Sequence, residues 1–190
     1  MFFRRPPNRN MTIDQVDFDN HPALLINLSD CIFNAVEKRD LNALKQIYDT
    51  SKQYTEKISS VAILNSIYSH VIEASFTAVE FKNLFEILPI YINQRMTNNV
   101  SVACGRDAYY QDTLIHIAAE KHQKDIFLFL VEHGADLYSL SHDGKTLAEV
   151  IQNHIARGKH WPDEVPDLQA MLATLEARMN IVHNTALKTS

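Results

Sequence analysis

Glycine is scarce in this chain, with four among 190 residues, and the periodicity that runs through most of the sequence is helical, not alternating. Cysteine is limited to Cys31 and Cys104, which excludes a disulfide-rich framework and suits a reducing compartment. Positive charge is in deficit: a formal net charge of −5 gives no electrostatic case for neutralising phosphates, so no nucleic-acid partner is expected. No apolar run approaches the roughly 18 residues that read as a membrane span, and no membrane partner is expected either. Near the N-terminus, Arg4 and Arg5 are followed by Pro6, Pro7 and Asn8 instead of an apolar stretch, which is not the pattern of a secretory signal. The expected location is cytoplasmic. What the chain does have is 46% hydrophobic residues, enough for one sizeable core or a short stack of helices in a single domain.

Met1 to about Asn20 mix proline, asparagine, arginine and aspartate without an apolar period. Residues 1–23 are therefore expected to form a mobile arm, residues 24–184 a helical domain, and residues 185–190 a C-terminal tail. In the first helical pair, Cys31, Ile32, Ala35 and Val36 share one face; Asp40 then caps a helix whose Leu41, Leu44, Ile47 and Tyr48 share another. The second pair runs from Val61 to Ala74 and from Thr77 onward, where Thr77 and Glu80 have the spacing of a capping box. Pro89 predicts a stop or kink near Leu88. Periodicity is then lost from Arg95 to Asp112, a long connection through Asn98, Asn99 and Gly105.

The third pair carries the specific signal. It reads Thr113-Leu-Ile-His-Ile-Ala-Ala-Glu-Lys-His, then Lys124-Asp-Ile-Phe-Leu-Phe-Leu-Val-Glu-His, with Gly134 where a left-handed C-terminal residue belongs. Asp143-Gly144 gives a tight turn, and Thr146 with Glu149 forms a second capping-box pattern, 33 residues after Thr113. Residues Thr113–Ser141 resemble the ankyrin repeat family. Thr113, Leu114, His116, Ala118 and Ala119 match the opening of its first helix, without the usual proline. Ile126, Phe127, Phe129, Leu130 and Val131 take the apolar positions of the second helix, and Gly134-Ala135-Asp136 matches its terminator. His122 stands where the family places a glycine. A partial match covers residues 143–151, and a degenerate one residues 31–48. The resemblance implies an all-α, ankyrin-type helical repeat solenoid of about four helix pairs with degenerate outer repeats, because one repeat cannot bury its own apolar faces. The last pair would comprise Leu147 to Arg157 and Pro166 to about Val182, with Leu168, Met171, Leu172, Leu175, Met179 and Val182 in one stripe.

His116 is a candidate general base, but the resemblance gives that histidine structural hydrogen bonds around its turn. Cys104 beside Gly105 is a candidate nucleophile, and a helical enzyme with its site in the loop from Cys104 to Tyr110 is the alternative reading; no complete triad is visible. Among the histidines, His116, His122, His133 and His142 cluster in sequence, yet none has a zinc-like i, i+4 pairing, so no metal ligand is assigned. Asp143-Gly144-Lys145-Thr146 echoes a phosphate loop but lacks its upstream glycine. No catalytic residue, cofactor or small-molecule substrate is expected.

Ankyrin proteins bind other proteins mainly through hairpin tips and the exposed side of each first helix, which together form a concave face. Carried onto this chain, that implies a protein-binding module whose candidate partner-binding residues are Tyr138, Leu140 and His142 on one tip. Tyr109 and Tyr110, in the preceding connection, complete the set. Loop aromatics make good anchors because they bury area at little entropic cost. Trp161 is read as a cap over the end of the core. Small ankyrin proteins rich in asparagine and isoleucine, with degenerate outer repeats, are similar to effectors that intracellular bacteria deliver into host cells, which implies action in a host cytosol.

Overall fold

The computed structural model describes residues 8, 10–18, 21–54, 60–90, 92–95, 112–158 and 162–188. Among them it contains eight α-helices and no strand beyond one isolated bridge, so the described part of the chain is all-α. The helices are α1 (His21–Glu37), α2 (Leu41–Ser51), α3 (Ser60–Glu73), α4 (Ala78–Ile87), α5 (Leu114–Glu120), α6 (Lys124–Glu132), α7 (Leu147–Arg157) and α8 (Val165–Lys188). No helix among the described residues is long and apolar enough to cross a membrane.

Odd-numbered helices neighbour one another in order: α1 packs on α3, α3 on α5, and α5 on α7. A second series runs α4 to α6 to α8, while α2 lies against α1 and α3. This arrangement explains the burial. Ala62 to Ile72 of α3, and Leu114 to Ala119 of α5, are buried without interruption because neighbours cover these helices on several sides. In α2, α4 and α6 burial is confined to a stripe, for example Leu44, Ile47 and Tyr48, or Ile126, Phe127 and Leu130.

Local signals end the helices where the sequence places the ends. Thr77 and Glu80 form a reciprocal capping box at α4, and Thr146 and Glu149 do the same at α7. The Asp40 carboxylate accepts from the Ala43 amide at 3.0 Å, satisfying an otherwise orphaned donor of α2. The last residue of α4 is Ile87, with Leu88 extended ahead of Pro89, whose ring disfavours a helical predecessor.

The first three helix pairs share one turn. Arg39, Ser75 and His122 adopt the left-handed conformation, with φ of 53°, 53° and 56°. In each turn the amide of that residue bonds three positions back (to Val36, Ile72 and Ala119), and the next amide bonds five back, to Ala35, Val71 and Ala118. This paired pattern satisfies the free carbonyls at the end of α1, α3 and α5 and reverses the chain. None of the three residues is glycine, so each turn carries a backbone cost of about 1 kcal/mol that packing must offset. The departure noted at His122 is thus accommodated by strain and not by a different turn.

Two sequence expectations are corrected. The stretch before α1 is not a mobile arm throughout: Ile13, Val16 and Phe18 are buried, and the Phe18 ring stacks on Tyr54 at 4.0 Å. The Asn34 amide of α1 donates to the carbonyls of Asn8 and Met11 at 3.1 and 2.8 Å, fastening that segment. Ile13 and Val16 sit three apart across the short 3-10 turn Ile13–Gln15, but Phe18 follows two positions on, so no single period runs through the segment. At the other end α8 continues to Lys188, through the expected start of the tail at residue 185. Pro166 lies in its first turn, where the missing N–H would have had no partner.

Candidate partner-binding surface

The tip between α6 and α7 is built by short-range backbone and side-chain bonds. Gly134, with φ 88°, turns the chain out of α6, and the Ala135 amide bonds to the Leu130 carbonyl at 3.0 Å. The Asp136 carboxylate accepts from the Tyr138 amide at 3.0 Å, and Ser139 Oγ donates to the Asp136 carbonyl at 2.9 Å. Leu140 and Thr146 then form the isolated antiparallel bridge. Between them the Ser141 amide donates to Lys145 and the Gly144 amide to Ser141, at 2.8 and 2.9 Å. Gly144, at φ 72°, supplies a conformation that a Cβ would strain.

Two groups from outside the tip hold it in place. Asn93 grips its base, donating from Nδ2 to the Gly134 carbonyl at 3.1 Å and accepting at Oδ1 from the Asp136 amide at 2.7 Å. Asp112, fully buried ahead of α5, accepts from the His142 amide at 2.6 Å and from its ring Nδ1 at 2.8 Å. The other ring nitrogen, Nε2, meets the Asp143 carboxylate at 2.7 Å, and Lys145 pairs with the same carboxylate at 2.8 Å. Partial burial works against a charge on His142. The hydrogen bond and charge of Asp112 outweigh it, with help from Asp143 and Glu120, and raise the ring's pKa. A buried carboxylate is tolerable only when its oxygens are satisfied, and here the His142 amide and ring are its partners.

Glu120, at the end of α5, faces the same cluster. Burial first, and then the charge of Asp112, push its pKa up to about 7. One ligand atom each of Asp112, Glu120 and His142 lies within 4.8 Å of the others, a spacing that a divalent cation can bridge. Both nitrogens of His142 already face carboxylates, Nδ1 that of Asp112 and Nε2 that of Asp143.

The candidates named from sequence therefore separate. Tyr138 is 57% exposed and Leu140 43% exposed, so both side chains face outward from a pinned tip. His142 keeps an exposed edge, but its nitrogens serve the pin. Tyr109, Tyr110, Cys104 and Trp161 lie outside the described residues. His116 is fully buried, with Nδ1 2.9 Å from Thr113 Oγ1. Among the described residues its Nε2 meets no acceptor in good hydrogen-bonding geometry, while the Ser139 backbone favours its charged form. Burial lowers its pKa against the opposing charge of Asp112. Sequence reasoning missed the roles of Asn93 and Asp112, since no local pattern ties either to a tip 30 or more positions away. It also missed Val79 on α4, which is 68% exposed. Comparison with protein-family models, with curated proteins and with solved structures gives no match for this chain.

Proposed function

We propose that this chain is an ankyrin-type protein-interaction module that works by binding a protein partner and not by catalysis. The observation that carries the reading is the tip itself: two large apolar side chains, Tyr138 and Leu140, are presented to solvent on a loop tied down by Asn93 and by the contact of His142 with the buried Asp112. Exposing apolar area on a restrained loop has no benefit for folding, whereas a pre-ordered anchor lowers the entropic cost of association. Supporting it are the left-handed turn repeated in three helix pairs and the serial packing of the odd-numbered helices, both of which suit a repeat stack.

The test compares the parent chain with a Tyr138→Ala/Leu140→Ala double variant, each immobilised in cytosolic extract, with Val79→Ala as a control for nonspecific apolar capture. The reading requires a protein retained by the parent and by Val79→Ala but not by the double variant, with all three chains melting together. Retention of the same proteins by the double variant would overturn it.

A further inference from the structure

The turn between α5 and α6 places a histidine in the left-handed conformation, at φ 56°, and its ring reaches across to the last helix pair. The Nε2 atom of His122 lies 2.9 Å from Nδ1 of His154, on α7. On the other side, His122 Nδ1 pairs with the carboxylate of Glu164, in the short turn Pro162–Glu164 that enters α8. The two imidazole rings are 4.8 Å apart between centroids and inclined by 78°. Three segments that are separate in sequence thus converge on the His122 ring.

We propose that His122 Nε2 and His154 Nδ1 chelate a borderline first-row divalent cation, with Zn2+ as the expected occupant and Glu164 orienting His122 from behind. Two nitrogens each about 2.0–2.1 Å from one ion, at ligand angles between square and tetrahedral, stand roughly 2.9–3.3 Å apart. Ring centroids in such a pair are about 4.5–5.2 Å apart by the same geometry. Both separations in the structure fall in these ranges, so an ion can enter with small ring movements. The Glu164 carboxylate accepts the Nδ1–H of His122 and leaves the lone pair on Nε2, the arrangement in which a carboxylate behind a histidine strengthens a metal bond. For Nδ1 of His154 to ligate, its proton moves to Nε2, the other nitrogen of the same ring. An all-imidazole donor pair selects zinc, nickel or copper over magnesium or calcium, which require oxygen ligands. Water fills the remaining positions, since the Glu164 side chain and part of His122 reach solvent. The bound ion would tie the α5–α6 turn to α7 and to the start of α8, locking the last pair onto its neighbours.

The experiment titrates the full chain with ZnCl2 by calorimetry at pH 7.5 and repeats the thermal melt with and without the ion. We expect one saturable ion per chain and a Tm rise of about 5–10 °C at a hundredfold excess over Kd. His122→Gly keeps the turn's backbone conformation while deleting a ligand, so it should fold yet lose both the saturable binding and the Tm rise. His154→Gln should do the same, and Glu164→Gln should weaken binding by about 10–100-fold. His142→Ala should leave binding intact. The proposal is overturned by absence of saturable binding to the parent, by binding that survives both His122→Gly and His154→Gln, or by loss of binding in His142→Ala, which would assign the ion to Asp112 and Glu120.

Discussion

Replacing Glu120 by glutamine should stabilise the protein, by an amount that grows with pH. Burial and the charge of Asp112 move this carboxyl from 4.5 up to about 7, so the folded state holds its proton more tightly than the unfolded chain does. The sign follows by linkage. The folded state is favoured while the carboxyl is protonated, and that advantage is lost as pH climbs from 4.5 through about 7. At 1.36 kcal/mol per pH unit, the full displacement corresponds to about 3 kcal/mol above pH 7. Glu120 is only partly buried, and solvent screening reduces that to about 1–2 kcal/mol at pH 8, with roughly 0.5 kcal/mol remaining at pH 5. Glutamine keeps the shape and removes the charge. Urea unfolding of parent and variant at the two pH values reads the net effect, including the loss of Glu120's pull on His142. At pH 8 the variant should also melt about 2–8 °C higher. A gain of equal size at both pH values, or a loss at pH 8, would refute the reasoning and show that the Glu120 carboxylate is compensated in the folded state.

Three further outcomes are expected. Phe18→Ala, which removes a ring stacked at 4.0 Å on Tyr54, should cost about 3 kcal/mol, and deletion of residues 1–20 should lower the melting temperature visibly; an unchanged melt would show that the segment does not dock in solution. Leu130→Ala, at a fully buried position in α6, should cost about 2–5 kcal/mol in urea unfolding, and a midpoint equal to the parent's would mean that the site collapses without a cavity. His116→Ala should destabilise by about 2–3 kcal/mol, since it leaves a cavity and deprives Thr113 Oγ1 of its partner, while partner capture at Tyr138 persists at temperatures where the variant is folded; loss of capture with an unchanged melt would contradict this structural role.

The sequence by itself determined what depends on neighbours within a turn or so. The capping boxes at Thr77 and Thr146, the cap at Asp40, the stop before Pro89, the turn at Gly134 and the apolar stripe of α8 each involve partners a few positions apart, so residue type and spacing suffice. The shared turn at Arg39, Ser75 and His122 was illegible because glycine, its usual marker, is missing from all three; only packing holds those backbones at positive φ. The tertiary structure alone decided the docking of Ile13, Val16 and Phe18, whose spacing follows no single period. It alone brought Asp112 to His142 across 30 positions, His122 to His154 across 32, and Asn93 to Asp136 across 43. Such pairings leave no local trace: each residue keeps the propensity it would have anywhere, and the energy that joins the pair exists only once the helices between them have packed.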